Sequence, residues 1–489
     1  MGTTARHVRT TATAAVLTAA LALLAACSDQ PSAPSAPAGS TTAPATAPDP
    51  GLPARLATAV SGQSATTHLQ ALERIADTHG GNRASGTPGY DASVDYVAGV
   101  LRRAGYDVQT PAFDTRTFSV QSERLTVDGA PVPAHALSFS PATPPAGITA
   151  PLATLPPDPT PGCDATDFAQ VPRGAVVLVQ RGICPFGQKS QLAGAAGAAA
   201  VIVANTDDAP IEGTLGETPG VIPTAVVSRT DGLRLATRHG APVSLALATT
   251  IRRQTSRNVL AQTKTGDPAR TVMAGAHLDS VPDGPGINDD GSGTAALLEI
   301  ATKMGASPPV GQAVRFAWWG SEEEGLVGST KYVDGLSEPD RRAIAAYLNF
   351  DMVGSPNAGY LAYDGDNSDN VGAGPGPAGS DVIERTLVDA LGAVGVRAEG
   401  TDFDGRSDYG AFIDAGIPSG GLFTGAEEVK TPEQARLWGG TAGRAYDPCY
   451  HQRCDRLAGV DQVAFDRNVD AMATGIGRLA VSLDGIPAR

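Results

Sequence analysis

Carboxylates crowd around two of the seven histidines in this 489-residue chain. The stretch GAHLDSVPDGPGINDDGSG, residues 275–293, places His277, Asp279, Asp289 and Asp290 directly behind the apolar run TVMA. Farther on, AVRFAWWG is followed by Glu322, Glu323 and Glu324, and AIAAYLNF by Asp351. A loop near the C-terminus holds Tyr450 and His451 between two cysteines. A single acidic run is usually a solvated turn. Acids delivered to equivalent positions by several apolar strands would repel one another severely unless cations bind between them. Imidazole and carboxylate without thiolate suit zinc, or alternatively cobalt or manganese. The set exceeds what one tetrahedral ion requires, whereas two ions bridged by a shared carboxylate would use it. Water held between two such ions becomes a nucleophile near neutral pH. An unligated carboxylate beside it can take the proton and pass it to a leaving amine. These residue types therefore describe a hydrolase.

The elements that must position them are legible as patterns. From Arg257 onward, strands and helices alternate. NVLAQT and TVMAGA precede the helix GTAALLEIATKM, and AVRFAWW precedes LVGSTKYVDGL. AIAAYLNF, the helix DVIERTLVDALGAV, the strand SGGLFT and a final helix from about Asp461 to Leu483 follow. Such alternation predicts an α/β fold with a mostly parallel central sheet sandwiched by helices. Ligands collect at the carboxyl ends of the strands in sheets of this kind. Upstream, THLQALERIADTHGGNR and GYDASVDYVAGVLRRAGYDV read as two amphipathic helices, the first stopped by Gly80-Gly81. Between about Phe118 and Thr250 the character changes to short strands with Pro- and Gly-rich turns. GAVVLVQRG and AAVIVAN are buried-strand patterns there, with the Ala-rich helix KSQLAGAAGA between them. Only His135 and His239 occur in this stretch, without an acidic cluster, so it reads as an inserted domain without chemistry of its own.

The net charge of -15 argues against a nucleic-acid partner, which needs a basic surface. Arg6 and Arg9 followed by TATAAVLTAALALLAA form an export signal. Its apolar core is short for a membrane span of about 20 residues. Leu24-Ala25-Ala26-Cys27 resembles the bacterial lipobox, which would make Cys27 a lipid anchor on the outer face of the cell membrane; simple secretion is the alternative. SAPSAPAGSTTAPATAPDP then forms a flexible stalk. Outside the cell, Cys163, Cys184, Cys449 and Cys454 should form two disulfides, paired by proximity as Cys163 with Cys184 and Cys449 with Cys454. Zinc binding by these thiols is the competing view, and no CxxC pair supports it. The resulting division is 1–27 leader, 28–53 linker, 54–117 first part of the catalytic domain, 118–252 insert and 253–489 the remainder.

H-x-D, N-D-D-G-S-G, E-E-x-G-L-x-G-S, N-F-D-M-V-G-S and C-Y-H-Q occur in this order. Together they resemble the co-catalytic dizinc aminopeptidases, family twenty-eight of the metallopeptidases, which includes secreted bacterial leucine aminopeptidases. GNRASGTPGYDASVDYV is similar to the family's opening segment. The resemblance implies two zinc ions per chain, held by His277, Asp289, Glu323, Asp351 and His451, with Asp289 bridging. It puts His277 and Asp351 on different ions, Glu323 completing the site of His277 and His451 that of Asp351, the pairings being exchangeable. Glu322 would be the general base. The family pattern leaves one residue between its Glu pair and Gly-Leu, and with Gly325-Leu326 fixed that residue is Glu324. Asp279 would orient the His277 imidazole, and a non-proline cis peptide is implied at Asp289-Asp290. Tyr450 would donate to the developing oxyanion. Arg406 would contact substrate, against the alternative of a surface pair with Asp404 or Asp408. The bridge Cys449–Cys454 would tether the loop carrying Tyr450 and His451.

Through VVLVQRGICPFGQKSQLAGAAGAAAVIVAN and IPTAVVSRTDG the insert resembles a protease-associated (PA) domain, β-rich, which lies beside the active cleft in related enzymes. A spacer is the equally good alternative. Asp466 and Asp470, spaced i,i+4, sit where some relatives bind structural calcium, but a solvated helix face is the plainer reading. The implied activity is removal of large apolar N-terminal residues, such as leucine, from peptides. A carboxypeptidase or dipeptidase of the same fold is the alternative, for which Arg406 is the one obvious carboxylate grip. A binding protein that has lost catalysis is opposed by the complete ligand set.

Overall fold

Strands Gln312–Trp319, Asp267–His277, Ile344–Phe350 and Ser419–Phe423 run parallel in the middle of an eight-stranded sheet. Their near-continuous apolar runs follow from burial on both faces. On one face, Val272, Ala274, Phe316, Trp318 and Leu348 pack with helices Gly62–Thr78, Pro88–Arg103, Gly291–Met304 and Gln462–Val481. On the other, Met273, Trp319 and Tyr347 pack with Phe412, and the Tyr347 and Phe412 rings stack at 3.6 Å. Antiparallel strands close one side, Val259–Gln262 against Gln312–Trp319 and Asp107–Gln109 beyond it. Leu361–Tyr363 and Glu399–Thr401 close the other. This is the expected helix-covered, mostly parallel sheet.

The computed structural model describes residues 47–489 except 157–158, 183, 207, 209–212, 217 and 373. The expected leader, the lipidation site Cys27 and most of the linker fall outside the described residues. Folded chain begins by Leu52, inside the expected 28–53 linker. Helix Leu52–Ala59 carries Pro53 in its first turn, where a missing N–H costs nothing, and buries Leu52 and Leu56. It lies so close to the last helix that a Cβ on Gly477 would sit 2.9 Å from the Pro53 Cα. Among the described residues, no helix is long and apolar enough to cross a membrane.

The insert is built on a second eight-stranded sheet. Val176 and Leu178 face one apolar cluster, while Val177 and Val179 face another. A strand covered on both sides reads as an unbroken apolar run because successive side chains alternate faces. The boundaries differ from 118 and 252. Ala112–Val127 and Pro242–Arg257 are 16-residue strands paired antiparallel from Ala112 opposite Arg257 to Val127 opposite Val243. This long ribbon, rather than a set of short strands, leads into and out of the insert. No residue of its middle stretches 116–124 and 248–255 is buried, so there it lacks the apolar signature that would mark it in the sequence.

Candidate metal centre and active site

Parallel strands bring their carboxyl ends to one rim, and here the rim gathers the acids. His277 ends its strand opposite Trp319 of the neighbouring strand, three residues before Glu322. On the other side Gly275 pairs with Asn349, two residues before Asp351. The Gly-rich loop returns as Asp289 and Asp290, joined by a cis peptide bond. Asp290 caps the helix Gly291–Met304 through the Gly293 amide, and also accepts from the amides of Met352 and His277. Ser321, Met352 and His451 have φ of 60°, 50° and 56°. A left-handed backbone at a non-glycine residue costs of order 1–3 kcal/mol and persists where surroundings enforce it. Each of the three is at, or beside, an expected site residue.

Asp289 lies between the two histidines. Its Oδ1 is 3.0 Å from His277 Nε2, and its Oδ2 is 3.2 Å from His451 Nε2. His277 Nε2 is also 3.5 Å from Asp351 Oδ1, and His451 Nε2 is 3.1 Å from Glu323 Oε2. The five expected ligands therefore converge, with the pairings exchanged. His277 shares its corner with Asp351, and His451 shares the other with Glu323, because the two oxygens of Asp289 face different imidazoles. His277, Asp289 and Glu323 can also approach a common point. Ser407 Oγ donates to Asp351 Oδ2 at 2.7 Å, leaving Oδ1 turned to the centre.

The triple-glutamate run is separated by geometry. Glu322 lines the cavity over the centre, Glu323 reaches His451, and Glu324 does neither. Asp279 departs from its expected role. It stands 3.8 Å from His277 Nδ1, too far for a hydrogen bond, and instead accepts the backbone amides of Glu322 and Glu323 at 3.2 and 3.3 Å. It thus holds the turn that presents both glutamates. Arg406 pairs with Glu427 and Glu428, at 2.9 and 3.2 Å, rather than with the carboxylates of Asp404 or Asp408. It also donates to Tyr450 Oη at 3.3 Å. Tyr450 stacks on His451 at 3.8 Å, and the disulfide Cys449–Cys454 closes their loop. The second bridge, Cys163–Cys184, lies in the insert.

The donor set fits divalent cations on direct grounds. Asp289 Oδ2, Glu323 Oε1 and Asp351 Oδ1 are buried polar atoms without a hydrogen-bond partner. Each such atom costs about 1–3 kcal/mol, a cost that oxygen- and nitrogen-seeking ions would relieve. The electrostatics agree. Burial opposes charge on His277, but the charges of Asp351 and Glu322, with nearby Asp279 and the contact to Asp289, raise its pKa well above normal. Burial would also raise Asp289, yet the two imidazoles hold it below the ordinary carboxylate range. The centre thus stabilises positive charge between its acids. Glu322 is pushed well up, by burial and then by Asp408, Glu323 and Asp351, with His277 opposing. A buried carboxyl so placed suits proton transfer.

A cavity of about 400 Å³ opens over these residues. Leu361, Tyr363, Phe423 and Val429 give it apolar walls, and Asp402, Asp404 and Glu428 supply acid. Sequence reading missed Asp447 and Asp455, which flank the disulfide loop. Asp455 accepts the amides of Asn288 and Asp289, and Asp447 accepts from Asn288 Nδ2. Proximity to His451 was the available signal. Asp408, buried beside Glu322, and Ser407 had none beyond the quoted DFDGRSDYGAF. Asp466 accepts from the Gly62 amide, a structural use of its carboxylate.

Residues 258–476 match the model of peptidase family M28, and 148–235 match the PA domain. The chain is 51% identical over 432 residues to the probable lipoprotein aminopeptidase LpqL of Mycobacterium tuberculosis, covering 87% of this chain and 86% of that one. It is 45% identical to an aminopeptidase of Pseudomonas aeruginosa, over 85% of this chain and 80% of that one. The solved structure of BSAP, a zinc aminopeptidase from Bacillus subtilis, superposes with a TM-score of 0.61 at 27% identity, over 86% of this chain and 95% of its own.

Proposed function

The chain belongs to peptidase family M28 and is a metallo-aminopeptidase, and from that premise we propose an exported enzyme that removes large apolar N-terminal residues, such as leucine, from peptides. The observation that carries the site assignment is Asp289, with one carboxylate oxygen toward each histidine. In this reading His277, Asp351, His451, Glu323 and Asp289 would hold the zinc, with Asp289 placed between the two histidines. Zinc bound there would polarise the scissile carbonyl and lower the pKa of water. Glu322 takes the proton from the attacking water as its oxygen bonds to the carbonyl carbon. The same carboxyl delivers that proton to the leaving nitrogen as the C–N bond breaks. Tyr450 donates its hydroxyl toward the developing oxyanion and is steadied by Arg406. Acids lining the cavity receive the substrate ammonium, and Leu361, Tyr363 and Phe423 offer apolar surface to its side chain. Placement on the outer face of the membrane through a lipid on Cys27 follows from the lipobox pattern and from the relative named as a lipoprotein.

In a carboxypeptidase reading Arg406 would have to grip a free carboxylate, but Glu427 and Glu428 already engage it. The deciding experiment compares leucine p-nitroanilide and a free-amine peptide with its N-acetylated form, with zinc and with a chelator. Chelator-sensitive cleavage of the free-amine substrates alone is expected. Preferential cleavage of the blocked peptide would overturn the assignment.

A further inference from the structure

Arg83 is fully buried and takes no part in the roles above. Its Nε donates to Pro285 O at 2.9 Å and its Nη2 to Gly286 O at 2.5 Å, while Nη1 donates to Leu278 O. Its own amide donates to Ser280 Oγ at 2.9 Å, and that hydroxyl donates on to Gly284 O at 3.0 Å. Asn82 Nδ2 reaches Pro282 O at 2.9 Å. Every acceptor lies within residues 278–286, in the loop that joins His277 to Asp289.

That loop follows a tight path. Gly286 has φ of 59°, and a Cβ there would sit 2.3 Å from Asp289 O and 2.5 Å from Ser280 Cβ. A planar guanidinium presents its donors in a fixed fork, so carbonyls from the two ends of the loop are held at a set spacing. The charge matters as well as the shape. Burial weakens the hold of Arg83 on its proton, and the fields of Asp279, Asp455, Asp290 and Asp289 offset part of that loss. The same segment continues to the turn bearing the glutamates. Ser85 Oγ is 2.5 Å from Ser321 Oγ and 2.8 Å from Ser256 Oγ at the end of the insert's ribbon.

We propose that Arg83 is a positioning residue for the metal centre. It is a buried cation that clamps both ends of loop 278–286 and so sets the spacing between His277 and Asp289. The inference rests on the zinc reading above. The rival is an arginine that stabilises the fold and nothing more. Lys430 provides a matched control. It is also buried, and its ammonium donates to Ala358 O and Gly439 O, at 2.7 and 3.1 Å, in other loops.

The test measures zinc affinity by titration of metal-stripped protein, together with thermal stability and amide exchange of residues 278–286. Arg83→Lys and Arg83→Met are expected to weaken zinc binding about 10- to 100-fold, the range for groups that orient metal ligands, and to speed exchange in that loop. Lys430→Met should lower thermal stability and keep wild-type zinc affinity. A folded Arg83→Lys protein with wild-type affinity and loop protection overturns the proposal. If the Arg83 variants do not fold, Asn82→Ala and Ser280→Ala remove single anchors. Weakened zinc binding in both supports the clamp, and unchanged binding in either overturns it. Wild-type protein that fails to bind zinc would instead sink the zinc reading itself, and this inference with it.

Discussion

The catalytic sheet and the sheet of the insert each have eight strands, and both bury runs of Val, Leu, Ile and Ala. Their buried polar groups differ. Among the described residues of the insert, the buried polar side chains are Thr, Ser, Asn and one charged residue, Lys189, whose ammonium donates to Pro161 O. Around the strand ends of the catalytic sheet, His277, Asp279, Asp289, Asp290, Glu322 and Asp408 are all buried. Buried carboxylates are costly unless paired or bound to metal. A fold selected for stability alone would look like the insert. The acids at this rim fit the chemistry proposed for them, and the contrast points to the same place without reference to any relative.

The largest effect that would sharpen the contrast is at Glu322. Glu322→Gln should lower kcat/KM by about 10²- to 10⁴-fold and leave zinc content unchanged, as read by steady-state kinetics with metal analysis. A rate close to wild type would reject Glu322 as the base.

The two disulfides set the regions directly against each other. Serine at Cys449 and Cys454 frees the loop holding Tyr450 and His451, and kcat should fall about 10- to 100-fold. Serine at Cys163 and Cys184 should leave kcat nearly unchanged while lowering the stability of the insert. That bridge spans 21 residues rather than 5, and closing a loop of that size contributes about 3 kcal/mol. Equal losses of activity in both pairs would erase the distinction.

The last effect, on stability alone rather than on the rate, is in pH dependence. Burial pushes Asp455 up to about 8, against the amides of Asn288 and Asp289, with Asp447 and Asp289 adding to the rise. Its folded pKa exceeds its unfolded value, so the folded state keeps a proton that the unfolded chain releases near 3.8. Stability from this group is therefore full below about pH 4 and is lost as pH rises through about 8, at up to about 1.4 kcal/mol per pH unit. Thermal melts of metal-stripped protein should show that decline, and Asp455→Asn should flatten it. An unchanged slope would remove Asp455 as the source.

Much of the fold was legible because its signals are local. Apolar strands of the catalytic sheet and the helices between them carry their own periods, and acids following each strand mark one rim of a parallel sheet. The ribbon Ala112–Val127 with Pro242–Arg257 was not legible, since no residue of its middle stretches 116–124 and 248–255 is buried and its strands pair across the whole insert. Strands Leu361–Tyr363 and Glu399–Thr401 are three residues each, too short for a periodic pattern.

Residue types and order along the chain determined by themselves that imidazoles and carboxylates would meet at strand ends, while the choice among three consecutive glutamates came from the family resemblance. Tertiary structure alone decided that His277 shares its corner with Asp351, that Asp279 holds the amides of Glu322 and Glu323, and that Arg83 clamps the loop behind Asp289. The reason is reach. Which oxygen of Asp289 faces which imidazole depends on the orientation of a carboxylate plane, and Arg83 meets carbonyls 195 to 203 residues away. Contacts over that separation leave no period in a sequence and exist only once the sheet has brought the segments together.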